Sequence, residues 1–182
     1  MEKELTVAMR QVGKVTTVIT MSKAKFEEVC SQLEQAYHDS VQYVDLGLPS
    51  GKKWADRNYG SDSIEGAGNY YQYDKAMQLG KNATLPTKED FQELKDECTW
   101  KWVERGNTKG YEVTGKNGNS IFLPAAGYGY GTSLLSAGSY GYYWSSSFHS
   151  SANAYLLYFN SGGFSPQNAY YRFFGFSVRA VQ

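Results

Sequence analysis

His38 and His149 are the only imidazoles in this 182-residue chain, and Cys30 and Cys98 the only thiols. Acid-base or nucleophilic chemistry would have to pass through one of these or through a carboxylate. His149 sits among Ser145, Ser146, Ser147, Ser150 and Ser151, the makings of a Ser-His nucleophile. Such a pair needs an acidic group to orient the imidazole, and no Asp or Glu follows Glu112. Two cysteines exclude a disulfide-rich framework and a Cys-based zinc cluster. Each falls on the apolar stripe of an expected helix, where a free thiol packs as a small hydrophobe. Gly127-Tyr128-Gly129-Tyr130-Gly131 lacks the Gly-Lys-Ser/Thr ending of a phosphate loop and reads as a tight turn beside the core. Asp56, Asp62, Glu65 and Asp74 read as scattered solvated acids. The expectation is a chain with no catalytic residue, no metal and no cofactor.

The chemistry that remains is recognition. Residues 140–176 hold 14 of the chain's 29 aromatic residues, and the same stretch has no Lys, Asp or Glu. Ser, Asn and Gly fill most of the other places. Tyr supplies a large amphipathic surface with few rotors to freeze, while Ser, Gly and Asn adapt their hydrogen bonds, so this is a paratope-like composition. The alternative is a sheet with Gly/Ser loops whose rings sit in the core. Crowding favours the first reading, because Tyr170, Tyr171, Phe173 and Phe174 flank Arg172 without alternation, and some must face solvent on any strand.

Eighteen basic and eighteen acidic residues leave no net charge. No basic run or stripe exists to follow a phosphate backbone, so nucleic acid is not an expected partner. No apolar stretch is long enough to span a bilayer as a helix. The opening MEKELTVAM lacks the charged-then-apolar layout of a secretory signal, so if the protein works outside a cell, something other than a classical export signal is expected to put it there.

The elements that must position the aromatic stretch follow from periodicity. Residues 4–10 and 14–21 are rich in β-branched residues, with Gly13 at the expected hairpin turn. From Ser22 the period becomes helical, with Phe26, Val29, Cys30, Leu33 and Tyr37 on one face, ending near Ser40. This ββα segment, residues 1–40, is too small to be stable alone and reads as an attachment or homo-oligomerisation segment. A second domain spans 41–182. It opens with a strand, a Leu48-Pro49-Ser50-Gly51 turn and a strand carrying Trp54, followed by a short helix ahead of Gly80. Thr87 and Asp90 have the spacing of a capping box for a helix burying Phe91, Leu94 and Cys98. Short strands between Gly-rich turns follow, with Lys116-Asn117-Gly118-Asn119 as a hairpin turn. In the tail, Phe176 and Val178 lie on one face and Ser177 and Arg179 on the other.

Three of these landmarks, in this order, resemble the C-type-lectin-like fold of formylglycine-generating-enzyme relatives and of surface proteins from anaerobic gut bacteria. They are the Leu85-Pro86-Thr87 helix start, the Tyr143-Trp144-Ser145-Ser146 strand and the closing Gly175-Phe176-Ser177-Val178-Arg179. The match covers residues 41–182. It implies an α+β domain with two helices, short antiparallel sheets and paired first and last strands. Formylglycine-generating relatives use cysteines in their C-terminal half, absent here, so oxidase activity is not carried over. Calcium-dependent lectins need clustered carboxylates, and the Glu-Pro-Asn and Trp-Asn-Asp signatures are missing.

Within that group the chain looks most like the variable proteins of diversity-generating retroelements, receptor binders mutagenised at adenines in a C-terminal region, here about 140–176. Asn codons changed in that way can yield Tyr, Phe, Ser, His, Leu, Gly, Ala or Asn, but never Lys, Glu, Trp or Met. The resemblance carries variability and ligand contact onto Phe148, His149, Leu156, Tyr158, Gly163, Ser165, Asn168, Ala169, Tyr170, Tyr171, Phe173 and Phe174. Gln167 departs from the pattern and is expected to be fixed. Trp54, Phe91, Leu94, Trp144, Phe176 and Val178 would hold the frame. The implied function is binding to a host or cell-surface protein or glycan, from a phage tail or a bacterial surface. The alternatives are an adhesin or structural domain of the same fold without diversification, and a degenerate formylglycine-generating-type enzyme.

Overall fold

A computed structural model describes residues 4–12, 15–80 and 83–182, in two compact units, Met1–Ser40 and Val41–Gln182. In the first unit, β1 (Glu4–Val12) pairs antiparallel with β2 (Val15–Ser22), with a register shift between Thr6 and Ala8. The turn expected at Gly13 lies outside the described residues. Helix α1 (Lys23–Ser40) follows at once, and Ser22 Oγ accepts from the Lys25 N–H at 3.2 Å, the bond of an N-cap. On the expected apolar stripe Val29 and Cys30 are half-buried, while Phe26 and Leu33 are exposed.

The second unit is α+β and is built mostly from small antiparallel sheets. β3 (Tyr43–Asp45) and β4 (Lys53–Ala55) form a two-stranded ladder around the expected turn. The chain end returns to β4. Lys53 and Gln182 exchange backbone hydrogen bonds at 2.9 and 3.0 Å, and Ala55 N–H donates to Ala180 O at 2.9 Å. Helix α2 (Tyr73–Met77) is only five residues long. Helix α3 (Lys88–Glu97) starts at the expected capping box, where Thr87 Oγ1 accepts from Asp90 N–H at 3.1 Å and Asp90 Oδ2 from Thr87 N–H at 2.8 Å. Two orphan amides of the first turn are satisfied, which fixes where the helix begins.

After α3 come β5 (Thr99–Arg105), β6 (Thr108–Thr114) and β7 (Ser120–Pro124), an antiparallel sheet in that order. Between β6 and β7, Gly118 takes φ 86°, a conformation that costs glycine no Cβ clash. β8 (Tyr128–Tyr130) and β9 (Ser133–Leu135) form a hairpin, so Gly127 to Gly131 is a strand with its flanks and not the expected tight turn. The reason lies far away in sequence: Gly129 and Gly175 exchange backbone bonds at 2.7 and 2.9 Å, and this tertiary bridge draws the segment out straight.

The aromatic stretch becomes a three-stranded sheet, β10 (Tyr140–Phe148), β11 (Asn153–Asn160) and β12 (Gly163–Tyr171), in that order. The sheet divides the core. Tyr143, Leu157 and Phe159 enter one buried cluster with Trp54, Phe91 and Leu94. Trp144, Ala154 and Leu156 enter another with Phe176 and Val178. All six residues expected to hold the frame are buried. Gly141 allows the sheet to pack closely, since a Cβ there would lie 2.1 Å from the Phe159 ring.

In the tail both of the expected faces are buried, Phe176 and Val178 on one and Ser177 and Arg179 on the other. Arg179 is fully enclosed and donates to Asn58 Oδ1 at 3.1 and 2.7 Å, to Ala55 O at 2.9 Å and to Phe122 O at 2.7 Å. Buried charge persists where its donors are matched by acceptors in this way.

Candidate binding surface

Pairing in the β10-β11-β12 sheet decides which side chains share a face. Tyr142, Trp144 and Tyr140 of β10 lie across from Tyr158, Leu156 and Asn160 of β11. Across β11, Asn160, Tyr158, Leu156 and Ala154 meet Gly163, Ser165, Asn168 and Tyr170 of β12. Gly163, Ser165, Asn168, Tyr170, Leu156 and Tyr158, six of the twelve expected contact residues, therefore share one sheet face. The register shifts between Ser165 and Asn168, which puts Pro166 and Gln167 in a bulge of this edge strand. An edge strand tolerates proline because its N–H has no ladder partner to lose. Gln167 is exposed there and donates to Gln92 Oε1 of α3 at 3.4 Å.

The rings on that face continue, past the end of β12, into a contact series that takes in Phe173, Phe174 and Tyr171, the last of which pairs with Asn153 on the other side of the sheet. Tyr140 stacks on Tyr158 at 5.9 Å, Tyr142 meets Tyr158 at 5.3 Å, and Tyr142 stacks on the buried Phe176 at 5.0 Å. Tyr170 meets Phe174 at 5.0 Å, Phe174 meets Phe173 at 4.5 Å, and Phe173 stacks on Tyr171 at 5.5 Å. Aromatic pairs at these separations add to burial and stiffen one another. The outer members remain open to solvent, with Tyr170 at 40%, Tyr171 and Phe173 at 51% and Phe148 at 62% exposure. Tyr158, Phe174, Gly163, Ser165, Asn168 and Ala169 are half-buried.

Arg172 holds the crowded segment in place. Its guanidinium pairs with Asp74, donates to Ser151 O at 3.1 Å, and lies over the Tyr73 ring at 5.1 Å and the Phe148 ring at 5.9 Å. Its backbone bonds to Ala152 O and accepts from Tyr73 N–H, both at 3.0 Å. Gln72 Nε2 donates to Phe173 O at 3.0 Å. With Arg172 turned inward, its neighbours Tyr171 and Phe173 turn out. Asp74 is thus the partner of a cation and not merely a solvated acid, and Asp56 pairs with Arg57 at 2.8 Å.

Not every expected contact residue belongs to the surface. Leu156 is only 1% exposed, in the buried cluster opposite Trp144. Its expected place at a ligand is corrected: it lies on the aromatic face, but where that face is covered by core. Ala169 pairs with Tyr155, on the side of the sheet opposite Leu156. His149 is exposed with its ring edge-on to Tyr155 at 4.9 Å, and Lys88 Nζ lies 4.6 Å from the same ring. These form a separate patch.

The surface also extends beyond the expected region. Tyr130 of β8 packs on Phe173 and Phe174 at 6.1 and 5.2 Å, and it is exposed together with Leu134 and Leu135 of β9. The signal for this was the alternation of Tyr with Gly at 128–130, which has the period of a half-exposed strand. A cleft of about 340 Å³ lies between Phe173 and this hairpin, and another of about 380 Å³ lies beside Arg172 and Asp74.

Burial raises the pKa of several tyrosines. Tyr142 is raised by burial and by the neighbouring phenols of Tyr158, Tyr128, Tyr170 and Tyr140. Tyr73 is raised chiefly by burial, with Arg172 pulling the other way. These phenols stay protonated at neutral pH, so each offers a donor and an acceptor to a ligand or neighbour. Both cysteines are free and half-buried, less enclosed than expected. The Cys98 thiol is pushed up to about 11, first by burial and then by Glu97 and Glu93. Among the described residues no group of three or more His, Cys, Asp or Glu could hold a metal ion, and no helix is long and apolar enough to cross a membrane.

A family model described as a domain of unknown function (DUF8237) matches residues 92–181. That span begins inside α3 and takes in every strand from β5 to β12, including the whole aromatic surface. No curated protein matches the chain, and no solved structure matches it.

Proposed function

We propose that residues 41–182 are a ligand-binding module of the C-type-lectin-like fold, presenting its aromatic surface to a receptor. The capping-box helix start, the Trp144 strand and the closure of the chain end onto β4 support that fold. By resemblance the counterpart is a variable protein of a diversity-generating retroelement, acting from a phage tail or a bacterial surface on a host or cell-surface protein or glycan. Residues 1–40 would serve attachment or self-association.

One observation carries this reading. Tyr170, Tyr171 and Phe173 are exposed while Trp144, Phe176 and Val178 are fully buried, so recognition and stability rest on different side chains. Clustered exposed rings mark interaction sites.

The test is a screen of cell-surface proteins and glycans comparing the unaltered chain with a Tyr170→Ala, Tyr171→Ala, Phe173→Ala version. Loss of capture in the altered chain, with its melting curve kept, is the expected result. Equal capture by both would sink the reading. Diversification has its own test, since a neighbouring near-copy of the coding region differing only at adenines must exist. The buried Leu156 favours a second reading, an adhesin of the same fold without diversification, because random replacement at a core position damages the frame.

A further inference from the structure

We propose that the cleft between Phe173 and the β8-β9 hairpin is a subsite for a neutral sugar ring. The inference rests on the adjoining aromatic face being the binding surface, and it names the ligand class of one part of it. The cleft is lined by two kinds of group. Phe173 and Leu134 supply exposed apolar surface, and Gln72, Thr132 and Ser133 supply polar side chains. The Gln72 amide nitrogen is engaged by Phe173 O, which leaves its Oε1 to accept, and each hydroxyl can both donate and accept. A pyranose has the matching pair of features, an apolar C–H face and a rim of hydroxyls. At about 340 Å³ the cleft is near the small end for ligand sites.

Two alternatives fit less well. No Asp, Glu, Lys or Arg lines this cleft, so a charged ligand would lose hydration without meeting a counter-charge. The neighbouring cleft that shares Gln72 and Phe173 differs in containing Asp74 and Arg172. A peptide adding as a strand needs unpaired backbone donors. On the β8 side of this cleft no such donor is open, because the N–H groups of Gly129 and Gly175 already donate to each other's carbonyls. Those two glycines present no side chain, and recognition falls to Gln72, Thr132 and Ser133.

The experiment is an amide NMR titration of the full chain in EDTA with methyl α-glucoside, methyl α-mannoside, methyl β-galactoside and N-acetylglucosamine. Glucuronic and N-acetylneuraminic acids are the charged counterparts. Saturable shifts at Gly129, Thr132, Ser133 and Gly175 with at least one neutral sugar are expected, with the acids at least about tenfold weaker and Thr132→Val weakening the bound sugar about tenfold. Absence of saturable shifts with every neutral sugar overturns the inference. So does equal binding of the acids, or an unchanged Kd in both Thr132→Val and Leu134→Ala, whose folds are checked by the rest of the spectrum. Failure here is distinguishable from failure of the surface. If the triple alanine chain loses its receptor while neutral sugars leave the cleft unmoved, only the sugar subsite falls.

Discussion

The Arg172 guanidinium lies over the Tyr73 ring, 5.1 Å from its centroid, and its backbone C=O accepts from the Tyr73 N–H at 3.0 Å. One residue thereby joins the end of β12 to the start of α2, and the rings on either side of it are left facing water. The accompanying ion pair with Asp74 is largely exposed on the acid's side, so it contributes little by itself.

Arg172→Ala is expected to cost about 1 kcal/mol in urea unfolding, mostly from the lost ring contact and packing. Asp74→Asn should cost less than about 0.5 kcal/mol. Receptor capture should fall more in Arg172→Ala than its stability does, because Tyr171 and Phe173 lose their fixed orientation.

Leu156 and Tyr171 give opposite outcomes when truncated. Leu156→Ala should destabilise by about 2 to 4 kcal/mol, since it opens a cavity beside Trp144 and Phe176. Tyr171→Ala, on the exposed end of the same sheet, should change stability by no more than about 0.5 kcal/mol. Denaturant midpoints of the two variants check this. Equal losses would mean the exposed rings belong to the frame.

Arg179 makes the heaviest single demand on the tail. Asn58→Ala removes the acceptor of two of its hydrogen bonds and should cost about 3 kcal/mol or more, because a buried charge is left short of partners. Ser177→Ala, at a buried hydroxyl that has no hydrogen-bond partner, should be close to neutral. Thermal melts of the two variants separate the cases.

Stability should fall at high pH. The buried Tyr143 phenol is raised to about 12, chiefly by burial, so the folded state holds this proton more tightly than the unfolded chain. Its contribution is complete below the ordinary phenol value near pH 10 and is lost as pH rises from there through about 12. Tyr142, Tyr43, Tyr70, Tyr73 and Tyr111 are raised as well, with burial the first cause, and they act in the same direction. Unfolding free energy measured across this range should decline, and less steeply in Tyr143→Phe. A flat profile would contradict the burial of these phenols.

Local chemistry wrote much of this molecule into the sequence. Thr87 and Asp90 fix the start of α3 because a capping box needs only four consecutive residues, and Asn117-Gly118 sets the β6-β7 hairpin for the same reason. The buried frame at Trp54, Phe91, Leu94, Trp144, Phe176 and Val178 was also legible, from periodicity and motif. Position on a surface was not. Leu156 and Tyr158 share one sheet face and one kind of composition, yet the core covers the first and leaves the second half open. Tyr130 and Leu134 join the aromatic surface only because Gly129 meets Gly175 across 46 residues of chain. Spacing along a strand determines which way a side chain points; what stands in front of it is settled by segments far off in sequence, and only the tertiary structure brings those together.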